Sequence, residues 1–248
     1  METLNCIDRL HYIVKEFNST ITINLEGKPI DKLNQVISRM FDINKDDAMK
    51  VYSTYGSIFE LCNNCLNTID KIAPFDENSS KNEFMKSRIE NVMCALCAID
   101  LPDGDFKEFK STLNTDTLSN LKMLSYSINS SDIVITENQL DKIRDDIRLI
   151  LDEIINSGIS IKLKDLLSDR INEILNVVEK YKIYGSDEIL KAYETCIGTM
   201  LINKSIVEDK DMPLYQNIFL KLMKTISFLN ENLPLIQYAK ELMPKLLK

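Results

Sequence analysis

The segment TENQLDKIRDDIRLILDEIIN constrains the fold more than any other part of this 248-residue chain. Its apolar residues Leu140, Ile143, Ile147, Ile150 and Ile154 recur in steps of three and four, with charged residues between them. On a helix, with about 100° between neighbours, these five share one face; on a strand they would scatter over both faces. Just ahead, Thr136 and Gln139 are spaced as a capping box, in which each side chain accepts a hydrogen bond from the other residue's backbone N–H. The next segment repeats the stripe with Leu163, Leu167, Ile171, Ile174, Val178 and Tyr181. Two such stripes in succession predict antiparallel helices that cover each other's apolar faces.

The same spacing runs through the N-terminal half. Leu4, Ile7, Leu10, Val14 and Phe17 mark a first helix, and Ile30, Leu33, Ile37 and Met40 a second with Pro29 in its first turn. A third helix is expected from about Asp46 to Ala73, with Gly56 as a place where it can break. A fourth runs from about Ser80 to Ile99 and stops at LPDGD. Two shorter helices follow, around Phe106–Leu113 and Thr115–Ile128. Farther on, Gly185 fits a helix stop, Ser186 a cap for the next helix, and Pro213 and Pro234 the openings of two more. STITINLEGKPID, where Ile21, Ile23 and Leu25 alternate, reads as an extended loop. Six glycines and six prolines are too few for the closely spaced turns of an all-β fold. The expected fold is therefore all-α, a bundle of about nine to ten amphipathic helices in two helical lobes. Residues 1–130 form an N-terminal region, residues 136–248 a C-terminal antiparallel bundle, and the polar NSSDIVITENQ lies between them.

Chemistry is sparse along this chain. Cys62 and Cys65, and Cys94 and Cys97, each form a C-x-x-C, the one pattern with metal-ligand spacing. Zinc knuckles hold such pairs on tight turns, commonly beside Gly or Pro, and neither pair has that neighbour. Helical rotation puts Cys62 and Cys65 on the stripe of Ile58, Ile69 and Ile72. It puts Cys97 at the flank of the Met85–Ile89–Val92–Leu96 stripe and Cys94 nearly opposite it. The four sulfurs are thus expected to act as small hydrophobes, with a metal site as the competing reading. DINKDDAMKVYS imitates an EF-hand loop at Asp42, Asn44 and Asp46 but has Asp47 where glycine is needed and Ser53 where a bidentate Glu is needed. Helix capping by Asp46 or Asp47 explains it. His11 is the single histidine, which excludes multi-histidine metal centres, and no phosphate-binding glycine loop or nucleophile elbow occurs. The carboxylates Asp145, Asp146, Asp152 and Glu153 fall off the apolar stripe and read as a solvated face. No catalytic residue and no cofactor is expected.

Thirty basic residues against 38 acidic ones give a net charge of −8, which disfavours binding to a phosphate backbone. METLNCIDRLHYIVKEF lacks the apolar stretch of a secretory signal, and no window approaches the roughly 18 apolar residues of a membrane span. Six cysteines without a secretory signal point to free thiols in a reducing compartment, hence a cytoplasmic protein.

From Leu163 onward the chain includes YKIYGSDEIL, followed by a second amphipathic helix. With Tyr181, Ile183, Gly185, Ser186, Leu190 and Gly198 in place, residues 163–248 resemble the C-terminal halves of uncharacterised bacterial all-helical proteins. That resemblance implies a bacterial or mobile-element origin and a link to anti-phage defence. It assigns no activity and carries over no site residue.

The expected function is a non-enzymatic helical module for protein–protein interaction, as adaptor, regulatory or accessory subunit, with a protein partner or a second copy. Its expected surface is Leu214, Ile218, Leu222 and Ile226, within a broad stripe that also holds Phe219, Met223 and Phe228. Core burial is the competing use of that stripe. Two rival readings are a metal- or thiol-dependent protein using Cys62, Cys65, Cys94 and Cys97, and a helical toxin or defence effector acting on a membrane. The second would use the lysine-bearing face of Lys221, Lys224, Lys240 and Lys245.

Overall fold

The computed structural model describes residues 5–20, 31–72, 79–101, 104–114, 116–128 and 134–227. Among them it is all-α, with ten α-helices and one short 3-10 turn. The chain divides into two compact units between residues 132 and 133. The loop at 21–30, Pro29, Ile30 and the helix expected from Pro234 lie outside the described residues.

The N-terminal unit contains α1 (Cys6–Ser19), α2 (Leu33–Phe41), α3 (Ala48–Ile72), α4 (Ser79–Cys97), α5 (Lys107–Thr112) and α6 (Thr117–Ser127). α1 packs on α3 and α6, and α4 packs on α3, α5 and α6. Polar side chains fix the joints between these helices. Asn5 caps α1 by accepting from the Asp8 amide at 2.9 Å, while its own amide donates to the Ser125 carbonyl of α6 at 3.0 Å. Asn91 of α4 accepts from the Asn114 amide at 3.1 Å and from the Thr117 hydroxyl at 2.9 Å, so it clamps the α5–α6 junction. The Tyr55 hydroxyl of α3 donates to the Leu96 carbonyl of α4 at 2.6 Å. Phe17, Phe106 and Phe109 fill the space between α1 and α5, their ring centroids 5.0–6.1 Å apart. The turn expected at LPDGD closes with the Gly104 amide donating to the Asp100 carbonyl. A Cβ at Gly104 would come within 2.0 Å of that oxygen.

One expectation is corrected here. α3 runs unbroken through Gly56, because Val51, Tyr55, Ile58, Leu61 and Cys62 bury a continuous face on either side of it. That packing outweighs the roughly 1 kcal/mol by which glycine disfavours a helix. The acidic stretch before α3 does contain a cap: Asp47 Oδ1 accepts from the Lys50 amide at 3.1 Å.

The C-terminal unit contains α7 (Glu137–Asn156), α8 (Ile161–Glu179), α9 (Tyr181–Asn203), the 3-10 turn Lys204–Ile206 and α10 (Met212–Ser227). The capping box forms: the Gln139 amide donates to Thr136 Oγ1 at 3.4 Å, and the Thr136 amide to Gln139 Oε1 at 2.8 Å. All five stripe residues of α7 and the five from Leu163 to Val178 on α8 are buried in one core. α8 packs on α7 and α9, and α10 packs on α7 and α9. Arg148 of α7 pairs with Glu179 of α8 at 3.0 Å. Glu153 of α7 accepts from Asn217 at 2.9 Å and Lys221 at 2.7 Å, both on α10. The buried carboxylate of Asp211 accepts from the Ser160 amide at 3.2 Å, which ties the α7–α8 turn to the start of α10.

The α8–α9 joint departs from the sequence reading. α8 ends at Glu179, and residues 181–184 already form a turn before the backbone reverses at Gly185 (φ 72°, ψ −172°). Ser186 is buried and its hydroxyl has no hydrogen-bond partner, so it does not cap the helix that follows. Tyr181 instead anchors the joint, its hydroxyl accepting from the Ile135 amide at 3.2 Å. The Gly185 backbone lies in a region that essentially only glycine occupies. Gly185→Ala should therefore destabilise the protein by about 1–3 kcal/mol in thermal or denaturant unfolding, against little change for Ala at the exposed Ser205.

Candidate functional site

The six cysteines are free thiols, and the two C-x-x-C pairs fare differently. Cys62 and Cys65 are fully buried on α3 with Ile58 and Ile69. Cys94 and Cys97 are exposed on α4. Cys97, expected at the flank of the buried stripe, is thus open to solvent, yet near enough to add to the rise that burial causes in the pKa of Cys62 and of Tyr55. Burial is the larger cause for Cys62, whose pKa is pushed up to about 12. Cys196, buried on α9, is likewise pushed up to about 12 by burial. Among the described residues no three His, Cys, Asp or Glu side chains are gathered so as to hold a metal.

The remaining chemical candidates have structural neighbours. His11 is half-buried on α1, where Lys122 pairs with Asp8 at 3.2 Å. Desolvation lowers the His11 pKa, Lys122 and Lys15 lower it further, and Asp8 opposes them. Asp145 and Asp152 are exposed, while Glu153 is engaged with α10. An open hollow of about 460 Å³ at the α4–α5 turn is lined by Asp100, Asp105 and Glu108 with Lys107 and Gly104. Of the lysine-bearing face, Lys221 is paired with Glu153, and Lys240 and Lys245 lie outside the described residues. Among the described residues no helix is long and apolar enough to cross a membrane.

The stripe of α10 lies mostly in the core. Ile218, Leu222 and Ile226 are buried with Tyr215, Phe219 and Met223, and Leu214 packs partly buried against them. Phe228 lies outside the described residues. Exposed apolar side chains gather elsewhere in this unit. Ile155 is in the last turn of α7, Ile161 begins α8, Ile202 is in the last turn of α9 and Ile206 is in the 3-10 turn; they are 51%, 79%, 80% and 49% exposed. The antiparallel order of α7, α8 and α9, together with the Ser160–Asp211 bond, places all four at one end of the unit. Sequence reasoning passed over them, although Ile155 and Ile202 carry a readable sign: each is a β-branched apolar residue off its helix's buried stripe.

Two outcomes follow from these surroundings. At pH 8, native Cys94 and Cys97 should react with a thiol reagent rapidly, while Cys62, Cys65 and Cys196 react only at the rate of unfolding; peptide mapping of the labelled sites checks this. Because folding lowers the His11 pKa below its unfolded value near 6.5, the neutral form is favoured in the folded state. Its stabilising effect is complete above that pH and is lost as pH falls through the lowered folded value. Unfolding midpoints should thus decline on acidification below about pH 6.5, and His11→Gln should make that decline shallower.

Compared with family models, with curated proteins and with solved structures, the chain finds no match in any of the three.

Proposed function

We propose that this protein is a non-enzymatic helical module that docks a protein partner through the isoleucine-bearing end of its C-terminal unit. The observation that carries the reading is the gathering of Ile155, Ile161, Ile202 and Ile206 at one end of that unit. Single exposed apolar residues are ordinary on a protein surface, whereas several at one place commonly mark a contact surface. Covering a large aliphatic side chain contributes about 1.5–3 kcal/mol, so four supply a hydrophobic centre for an interface. Lys204, Glu208, Asp209 and Lys210 stand in the same connection and supply the polar rim. The rigid backing is the α7–α8 pair, whose stripes are held inside the unit.

The reading is tested by affinity capture from native lysate followed by light scattering. A stoichiometric partner or a defined homo-oligomer is expected. Ile161→Glu/Ile202→Glu should abolish that association while leaving helicity and melting temperature unchanged, because both side chains are about four-fifths exposed. A lone monomer without a partner, or an association indifferent to these substitutions, would overturn the assignment.

A further inference from the structure

We propose that Cys94 and Cys97, at the end of α4, form a surface dithiolate site that takes one Cu(I) ion with no other protein ligand. The two residues stand three apart in the last turn of α4, and both are exposed. Ala95 and Leu96, which lie between them in sequence, are fully buried. At about 100° per residue, the direction midway between Ala95 and Leu96 is opposite the direction midway between Cys94 and Cys97. Burial of the inner pair therefore turns both thiols to one outward face, about 60° apart around the helix axis.

The turn that carries them is held from beneath. Val92 is fully buried as well, Ile99 is 4% exposed, and the Tyr55 hydroxyl of α3 donates to the Leu96 carbonyl at 2.6 Å. The Ala98 amide donates to the Ala95 carbonyl at 3.2 Å and the Ile99 amide to the Leu96 carbonyl at 3.0 Å. The chain thus closes into a tight turn directly after Cys97.

Spacing decides what this pair holds. Side chains three apart on a helix have Cβ atoms about 5–6 Å from each other, whereas a disulfide needs about 3.5–4.5 Å. A direct S–S bond would have to deform a packed turn. An ion between the sulfurs closes the gap instead, because two bonds of about 2.3 Å span up to about 4.6 Å.

The number of ligands then selects the ion. Among the described residues no third His, Cys, Asp or Glu gathers with the pair, and Cys62 and Cys65 are enclosed on α3. Structural zinc and iron–sulfur clusters take four protein ligands, so two thiolates leave them incomplete. Cu(I) is soft and thiophilic, and two thiolates in a near-linear arrangement satisfy it. Glu90 and Asp100, about one turn to either side, are exposed and add negative charge that attracts a cation. Binding breaks two S–H bonds and forms two Cu–S bonds. The two protons pass to the buffer and the copper stays Cu(I), so no oxidant or reductant is consumed. Uptake accordingly strengthens as pH rises.

The test mixes the reduced full chain, without oxygen, with the coloured Cu(I)–bicinchoninate complex and follows the loss of colour. One Cu(I) per chain should transfer, X-ray absorption should show two sulfur ligands, and bound copper should shield Cys94 and Cys97 from alkylation. Cys94→Ser and Cys97→Ser should each abolish the transfer and leave the melting temperature of the metal-free protein unchanged, since both side chains are exposed. X-ray absorption and alkylation of the wild type decide the matter even where a serine variant folds poorly. Failure of Cu(I) to transfer, transfer that persists in Cys94→Ser/Cys97→Ser, more than two sulfur ligands, or a copper ion shared between two copies of the chain would overturn the proposal.

Discussion

The seam between α7 and α8 is the contact on which the C-terminal unit depends. Leu140, Ile143, Ile147, Ile150 and Ile154 face a core shared with Leu163, Leu167, Ile171, Ile174 and Val178, and every one of them is buried. Such side chains contribute about 1.5–3 kcal/mol each on burial, and truncating one in a packed core costs about 2–5 kcal/mol. The seam also fixes geometry. Antiparallel packing brings the end of α7 beside the start of α8, and the Asp211–Ser160 bond brings the α9–α10 connection to the same place. The exposed isoleucines share one end of the unit because of that arrangement.

The N-terminal unit is organised differently. Apart from α3 and α4 its helices are shorter, and side-chain amides and hydroxyls carry much of the alignment. Asn5 joins α1 to α6, Asn91 joins α4 to the α5–α6 junction, and Tyr55 joins α3 to α4. Each such bond nets about 0.5–1.5 kcal/mol, but each partner would cost more if left buried and unpaired, so the set specifies one arrangement. Within that arrangement the α3 thiols are enclosed.

The long-period features of the sequence were readable because they depend on one helix at a time. The α7 and α8 stripes, the Thr136–Gln139 box, the cap at Asp47 and the positive φ of Gly185 all follow from local spacing and local backbone chemistry. What was not readable depends on which helices meet. Gly56 looks like a breaker until the packed face on both sides of it is known. Ser186 looks like a cap until the preceding turn is known to bury it. The α10 stripe is wide enough for a core and a partner, and only its neighbours α7 and α9 decide how much is enclosed. Ile161 and Ile206 sit at turns, where periodicity assigns no face.

The central claim, that the C-terminal unit keeps its stripes inside and works through its isoleucine end, is most directly tested by hydrogen exchange on the full chain, alone and in its captured assembly. The α7 and α8 stripe amides should be the slowest in both states, and residues 155–161 and 202–211 should gain protection only in the assembly. Protection gained instead along α10, with residues 155–161 and 202–211 unchanged, would contradict the account.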